Sequence, residues 1–304
     1  MIVDLPQTTT GAVARALVEL RDRGGAVALG RVLTLVVPTD EHGVEDAVRA
    51  ANDASREHPC RVIVLSRGTR RGSDRLDGQL RVGGDAGASE VVVLRTYGQV
   101  GDHLDALVVP LLLPDAPVVA WWPGPPPDRP AADQVGAMAQ RRITDAATAA
   151  RPGAALRRLA AGYTPGDTDL AWTRVTLWRA LLVAALDQPP FEPVERVTVT
   201  GASDSPSADL LAAWLGSRLR CPVRRVRTGR GNGLEAVRLD RPTGPVAIER
   251  GQGDVAVLTH PGRPDQRVSL PRRSDSDCLA EELRRLHPDD VYGQVLTRGL
   301  EEVL

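Results

Sequence analysis

VVPLLLPDAPVVAWWPG, running from Val108 to Gly124, decides how the rest of this chain is read. The stretch is almost wholly apolar. Pro110, Pro114 and Pro117 nevertheless forbid one continuous helix, because each lacks a backbone donor and pushes its predecessor away from the α region. It is also too short and too interrupted to span a bilayer. The pattern predicts a helix end, a turn over Pro114-Asp115, and a buried strand Val118-Val119-Ala120-Trp121. Successive strand side chains face opposite sides, so Trp121 and Trp122 cannot share a core layer. One of them must meet a second layer, a groove or another protein.

Working outward, the amino-terminal half alternates element types. Thr9 or Thr10 caps a helix that runs to about Arg23, with Val13, Leu17 and Leu20 on one face and Gly24 as the stop. Arg31 to Val37 reads as a strand, and Gly43 to Glu57 has helical spacing in Val44, Val48 and Ala51. RVIVLS (Arg61 to Ser66) and SEVVVLRT (Ser89 to Thr96) are continuous β-branched runs of the kind buried on both faces of a parallel sheet. A glycine-rich turn, Gly83 to Gly87, precedes the second, and a helix is expected near Asp102 to Leu113. Strand alternating with helix favours a layered α/β domain with a largely parallel sheet.

Toward the carboxyl end, PGPPPDRP (Pro123 to Pro130) reads as an extended surface loop. Helical stretches are expected at Ala131 to Gln140 and Pro152 to Gly162, and a domain boundary at Tyr163-Thr164-Pro165-Gly166. That gives an α/β domain over residues 1–163 and an α+β domain over 164–304. Asp167 to Leu186 reads as one long helix with the strip Ala171, Val175, Trp178, Leu182 and Ala185. Asp167 and Asp169 lie at its positive end. A strand (Arg196 to Thr200), a helix opening at Pro206 and a strand (Pro222 to Arg227) follow. Three short runs at Leu234 to Leu239, Val246 to Arg250 and Val255 to Thr259 read as an antiparallel meander. Helices at Asp277 to Leu286 and Asp289 to Leu300 close the chain.

Composition excludes several chemistries. With 304 residues, 42% apolar content and a net charge of -1, the chain has the make-up of a soluble globular protein. Its bulk charge does not suit polyanion binding. Every basic residue is arginine, so no Schiff base and no P-loop lysine can form. Cys60, Cys221 and Cys278 make no CxxC pair, which fits free thiols in a reducing cytoplasm and neither a disulfide framework nor a zinc cage. No basic, apolar leader opens the sequence, so a cytoplasmic location is expected. None of the five histidines stands at metal-ligand spacing from another.

Candidate motifs weigh toward bland readings. Gly229 to Gly233 joins two expected strands and is a hairpin turn before it is a phosphate cradle; Gly83 to Gly87 likewise leads into a strand. Asp167-Thr168-Asp169 is a helix cap before it is a divalent-ion pair. The run Arg218, Arg220, Arg224, Arg225, Arg227 and Arg230 could face an acidic partner, but a solvated strand edge is the simpler account, and no aromatic interleaves it for stacking on nucleic acid. Arg141-Arg142 is either a surface turn or an interface anchor. No catalytic residue, cofactor site or metal site stands out.

Five blocks carry a resemblance. They are AANDASREHPCRVIVLSRG (Ala50 to Gly68), RVGGDAGASEVVVLR (Arg81 to Arg95), VVPLLLPDAPVVAWWPG, QRRITDA (Gln140 to Ala146) and GDTDLAWTRVTLWRALLVAALDQPP (Gly166 to Pro190). Together with SPSADLLAAWL and CLAEELRRL, they resemble the glucose-6-phosphate dehydrogenase assembly protein family, OpcA, in a lysine-free form similar to actinobacterial members. The resemblance implies a non-enzymatic protein without cofactors. It would bind glucose-6-phosphate dehydrogenase, favour its active oligomer and support NADPH production in the oxidative pentose phosphate route, with no nucleic acid or membrane as partner. The alternative is a sensor or enzyme of phosphosugars using the arginine clusters and glycine turns. Aromatic and arginine anchors dominate most protein interfaces, so Trp121, Trp122, Arg141, Arg142, Trp172 and Arg174 are the expected partner-binding residues. Core packing would explain any one of the tryptophans equally well.

Overall fold

A computed structural model describes residues 1–24, 32–82, 90–231, 233–251 and 253–303. The chain divides into two compact units. One holds Met1–Asp145, Gly166–Thr168 and Asp275–Pro288; the other holds Ala146–Pro165, Asp169–Ser274 and Asp289–Leu304. The expected α/β class is present, with a largely parallel sheet in the first unit and a mostly antiparallel one in the second.

The first unit contains β1 (Ile2–Leu5), α1 (Thr10–Gly24), β2 (Leu33–Asp40), α2 (Val44–Ser55), β3 (Cys60–Arg67), β4 (Arg75–Arg81), β5 (Glu90–Tyr97), α3 (Leu104–Val108), β6 (Val118–Trp121) and β7 (Arg141–Thr144). Next along the sheet is β8 (Asp167–Asp169), and the order is β1-β4-β5-β3-β2-β6-β7-β8. β5, β3, β2, β6 and β7 run parallel. Their apolar runs are buried because both faces are covered. Val36, Ile63, Leu65, Val92 and Leu94 meet Val13 and Leu17 of α1 and Leu104 and Val108 of α3. The alternate residues Val37, Val62, Val64 and Val93 are equally buried, and α2 packs against β2 and β3 on the opposite side. Outside α2 lies α8 (Asp275–Arg284), a late segment that returns to the first unit.

Val118 to Trp121 forms the strand expected of it, paired Leu35↔Val119 and Val36↔Ala120. The tryptophan problem is solved by the second layer. Trp122 joins the layer of α1 and α3, and Trp121, one residue earlier, is buried as well. Two elements went unanticipated: β4 is an antiparallel strand with Gly78 at its centre, and it lies between β5 and the edge strand β1. Neither has an apolar run. The glycine-rich turn Gly83 to Gly87 and the strand starts at Arg31 and Ser89 lie outside the described residues.

In the second unit, α4 (Pro152–Ala161), α5 (Leu170–Thr173), α6 (Thr176–Leu186) and α7 (Pro206–Leu219) surround a six-stranded sheet. Its strands are β9 (Arg196–Ala202), β10 (Val223–Thr228), β11 (Leu234–Asp240), β12 (Val246–Arg250), β13 (Val255–Thr259) and β14 (Gln266–Ser269), in the order β10-β9-β11-β12-β13-β14. β14 extends the expected meander by one strand. α9 (Asp290–Gln294) passes directly into a wider turn over Val295–Gly299. Trp172, Trp178, Leu182, Leu210, Leu211, Val199, Val237 and Ile248 form the core. α7 starts where Ser205 Oγ accepts the Ala208 N–H at 3.2 Å, with Pro206 at the first helical position.

Asp167 to Leu186 is not one helix. Residues 166–168 are held beside β7, where Arg142 N–H donates to Gly166 O (2.9 Å) and Thr144 Oγ1 donates to Thr168 O (3.0 Å). Asp169 then caps α5, accepting the Ala171 N–H at 2.9 Å, and the chain re-enters helix at Thr176 after Val175. Ala131 to Gln140 is likewise not a helix but two short 3-10 turns, Pro130–Ala132 and Gly136–Met138. At Gly136 an added Cβ would lie 1.8 Å from Pro130 O, so the close approach of the chain there requires glycine.

Candidate functional site

The order β5-β3-β2-β6-β7 has a topological consequence. From β2 the chain builds outward to β3 and β5, then returns to the other side of β2 with β6 and β7. This is the strand order of doubly wound nucleotide-binding sheets, which bind ligands outside the carboxyl ends of the strands at that reversal. A cavity of about 600 Å³ lies there. It is lined by Pro38, Thr39 and Asp40 at the end of β2, Arg67 at the end of β3, Trp121, Trp122 and Pro123 at the end of β6, Asp46 and Ala47 of α2, Asp133 and Asp275.

Its chemistry departs from phosphate binding. In a phosphate site the free N–H groups of the first helix face the ligand. Here Asp40 Oδ1 already accepts the Gly43 N–H at 2.8 Å, and Glu45 and Asp46 occupy the first turn of α2. Gly43 fits because a Cβ would sit 2.4 Å from Thr39 Oγ1. Arg81 hydrogen-bonds Glu45 through both terminal guanidinium nitrogens, and these bonds hold the Glu45 carboxyl below its usual value. Negative charge therefore already neutralises the positive end of the helix, and an anion would be repelled. Among the described residues, no group of three or more His, Cys, Asp or Glu side chains is placed to hold a metal ion.

The six residues expected to face a partner are placed mostly inside. Trp121 is 1% exposed, Trp122 6%, Arg141 3%, Arg142 6% and Trp172 1%; Arg174 alone is half-buried. Arg141 pairs with Glu282 of α8 and donates to His287 O at 3.0 Å. Arg142 pairs with Asp167 and donates to Ala139 O at 2.6 Å. Trp172 donates its indole N–H to Asp289 Oδ2 at 2.9 Å, lies 6.1 Å from the Tyr292 ring, and carries the Arg179 guanidinium 3.6 Å above its face. Arg141-Arg142 therefore lies on a buried strand, and Trp121, Trp122 and Trp172 pack in the interior.

The arginine run is also corrected in part. Arg225 is buried on Asp209 at 2.8 Å and donates to Gly201 O and Ala202 O, while Arg224 and Arg227 stay exposed. Burial pushes the Asp209 carboxyl up, and Arg225 opposes that rise. Arg61 is likewise buried against Glu90 at 2.8 Å. The Asp167-Thr168-Asp169 reading holds as a cap at Asp169, with Asp167 engaged by Arg142.

Sequence reasoning missed a surface. The inward strip of α6 is buried as expected, but Leu177, Ala180, Val183 and Ala184 on its other side are exposed. The one charged residue within α6, Arg179, folds back over Trp172. Phe191, the only phenylalanine in the chain, follows and is 75% exposed. The signal was present: TLWRALLVAAL is apolar all round, and such helices are normally covered.

Fold and site together define a two-unit α/β protein with buried arginine–carboxylate pairs, an acidic crevice and an uncovered apolar helix face. Residues 51–161 match the family model described as glucose-6-phosphate dehydrogenase subunit N-terminal domain, and residues 165–296 match the one described as its C-terminal domain. The chain belongs to this OpcA family of glucose-6-phosphate dehydrogenase subunits. No curated protein matches significantly. A solved structure, the WlbA dehydrogenase from Bordetella pertussis in complex with NADH and UDP-GlcNAcA, is similar at 12% identity over 89% of this chain and 86% of that one, with a TM-score of 0.34. Among the described residues no helix is long and apolar enough to cross a membrane.

Proposed function

We propose that this chain is a non-catalytic cytoplasmic subunit that binds glucose-6-phosphate dehydrogenase, favours its active oligomer, and so supports NADPH formation in the oxidative pentose phosphate route. The family match supports the identity of the partner. The observation that carries a protein-binding role is the outer face of α6, where Leu177, Ala180, Val183 and Ala184 stand uncovered with no charge among them. Apolar area of this kind, with Phe191 nearby in sequence, marks a surface that another protein covers. We assign the contact to it in place of the buried tryptophans and arginines.

The mechanism is selective binding. A partner that binds the active oligomer better than its dissociated form shifts the balance by the difference in affinity alone. At about 100 times its dissociation constant it stabilises the bound state by roughly 2.7 kcal/mol, close to a hundredfold change in populations. The test is co-purification of the two proteins, with dehydrogenase rate and oligomer size measured with and without this chain. Co-elution with a larger, faster enzyme is expected. Separate elution with an unchanged rate rejects the reading.

A further inference from the structure

We propose that the crevice at the β2/β6 reversal receives a cationic side chain, guanidinium or ammonium, carried on a peptide arm of the dehydrogenase. The inference rests on the subunit reading above. Asp40, Asp46, Asp133 and Asp275 line the cavity with one cation, Arg67, among the lining residues, and Asp46 pairs with Arg49 on its own helix. Asp40 and Asp133 use only one oxygen each to hold their own loops: Asp40 Oδ1 takes the Gly43 N–H, and Asp133 Oδ1 takes those of Val135 (2.9 Å) and Gly136 (3.3 Å). The second oxygens accept no hydrogen bond among the described residues, and they supply the acceptors a cation needs.

Shape selects the kind of cation. No three of these carboxylates converge as a metal site, so a compact ion would leave most of the roughly 600 Å³ unfilled. The walls are apolar, from Leu65, Leu104, Trp122 and the prolines after it. Arginine and lysine lay methylene stems on such surfaces while their charged heads reach polar groups. Trp121, which also walls the cavity, leaves its buried indole N–H without an acceptor among the described residues, and a peptide carbonyl is one. A phosphate or carboxylate ligand would face the same carboxylates with the wrong sign.

The test uses the full-length protein and two probes, Ac-Leu-Arg-Pro-Arg-amide and the same peptide with citrulline in place of arginine. Tryptophan fluorescence is followed at low salt. A saturable response to the arginine peptide alone is expected, weakening as salt rises. Asp40→Asn with Asp133→Asn keeps both Oδ1 acceptors, and so the loops, while removing the charge. It should weaken binding roughly tenfold, the scale of two partly exposed charge contacts. Equal response to both peptides, no response to either, or an unchanged affinity in the double variant overturns the proposal. The dehydrogenase itself separates this failure from failure of the subunit reading. Weakened co-purification of the double variant supports the crevice as a docking site. A double variant that co-purifies as well as the parent overturns the crevice and leaves the subunit role standing; a parent that does not co-purify overturns both.

Discussion

Arg142→Ala separates two incompatible accounts of one residue. As an interface anchor, Arg142 would lose partner affinity on truncation and leave the fold intact. In the structure it is 6% exposed, paired with Asp167, which is 5% exposed, and bonded to Ala139 O at 2.6 Å. Truncation takes the guanidinium away from a buried carboxylate, a change that costs about 3–5 kcal/mol. With a urea slope of about 1–3 kcal/mol per molar, the unfolding midpoint should fall by roughly 1–5 M. Tryptophan fluorescence reads the transition, since Trp121 pairs with Ile143 of β7 and the next residue, Trp122, donates its backbone N–H to Ile143 O. The double variant Arg142→Met, Asp167→Leu removes both charges together and should recover most of the loss. An Arg142→Ala protein with the parent's midpoint and no affinity for the dehydrogenase would refute the argument, as would a double variant no more stable than the single one.

Three further outcomes are expected. Leu177→Ser with Val183→Ser should weaken dehydrogenase binding by roughly tenfold or more, while urea unfolding stays within about 0.5 kcal/mol of the parent because both sites are exposed; unchanged binding would remove α6 as the contact face. Gly166→Ala should lower the melting temperature through a cost of roughly 1–3 kcal/mol, because Gly166 has φ +100 and its added Cβ would lie 2.5 Å from Gln140 O; an unaltered melt contradicts this. Glu45 has a folded pKa below its ordinary 4.5, so its contribution is present above that value and is lost as pH falls through the folded pKa. Glu45→Gln should therefore flatten the acid limb of stability as pH falls below 4.5, by less than about 1 kcal/mol given its exposure, and a parallel limb in stability-against-pH curves would reject the pairing with Arg81.

What the sequence discloses follows from where the information lies. Cys60–Arg67 and Glu90–Tyr97 are legible because strands buried on both faces need unbroken apolar runs, and Val118–Trp121 because prolines delimit it. β4, RLDGQLR, lies one strand in from the sheet edge and is covered only in part, so it keeps polar residues and a glycine and shows no run. Arg141–Thr144 deceives in the opposite way. Two adjacent arginines read as surface, but their partners Glu282 and Asp167 stand 141 and 25 residues away, and no local pattern reports such distances. The crevice is hidden for the same reason, since strand order is a long-range property. The outer face of α6 was legible from its own composition and was overshadowed by the aromatic pair.

The absence of lysine connects these observations. A lysine can be buried by giving up its proton; an arginine cannot, and its five donors must find acceptors. The interior accordingly holds Arg61 on Glu90, Arg141 on Glu282, Arg142 on Asp167 and Arg225 on Asp209, with backbone carbonyls taking further donors from Arg61, Arg141, Arg142 and Arg225. Such pairs fix geometry more than they add stability, and a group locked in one is not available to act on a substrate. What faces outward is then chemically complementary to a protein: uncharged apolar side chains on α6, and carboxylates with spare oxygens in the crevice. A dehydrogenase segment offering both an apolar patch and a cationic arm would satisfy the two surfaces, whereas a phosphosugar satisfies neither. These features support the proposal that the chain acts by binding, with any effect on turnover coming through the conformation of the enzyme it holds.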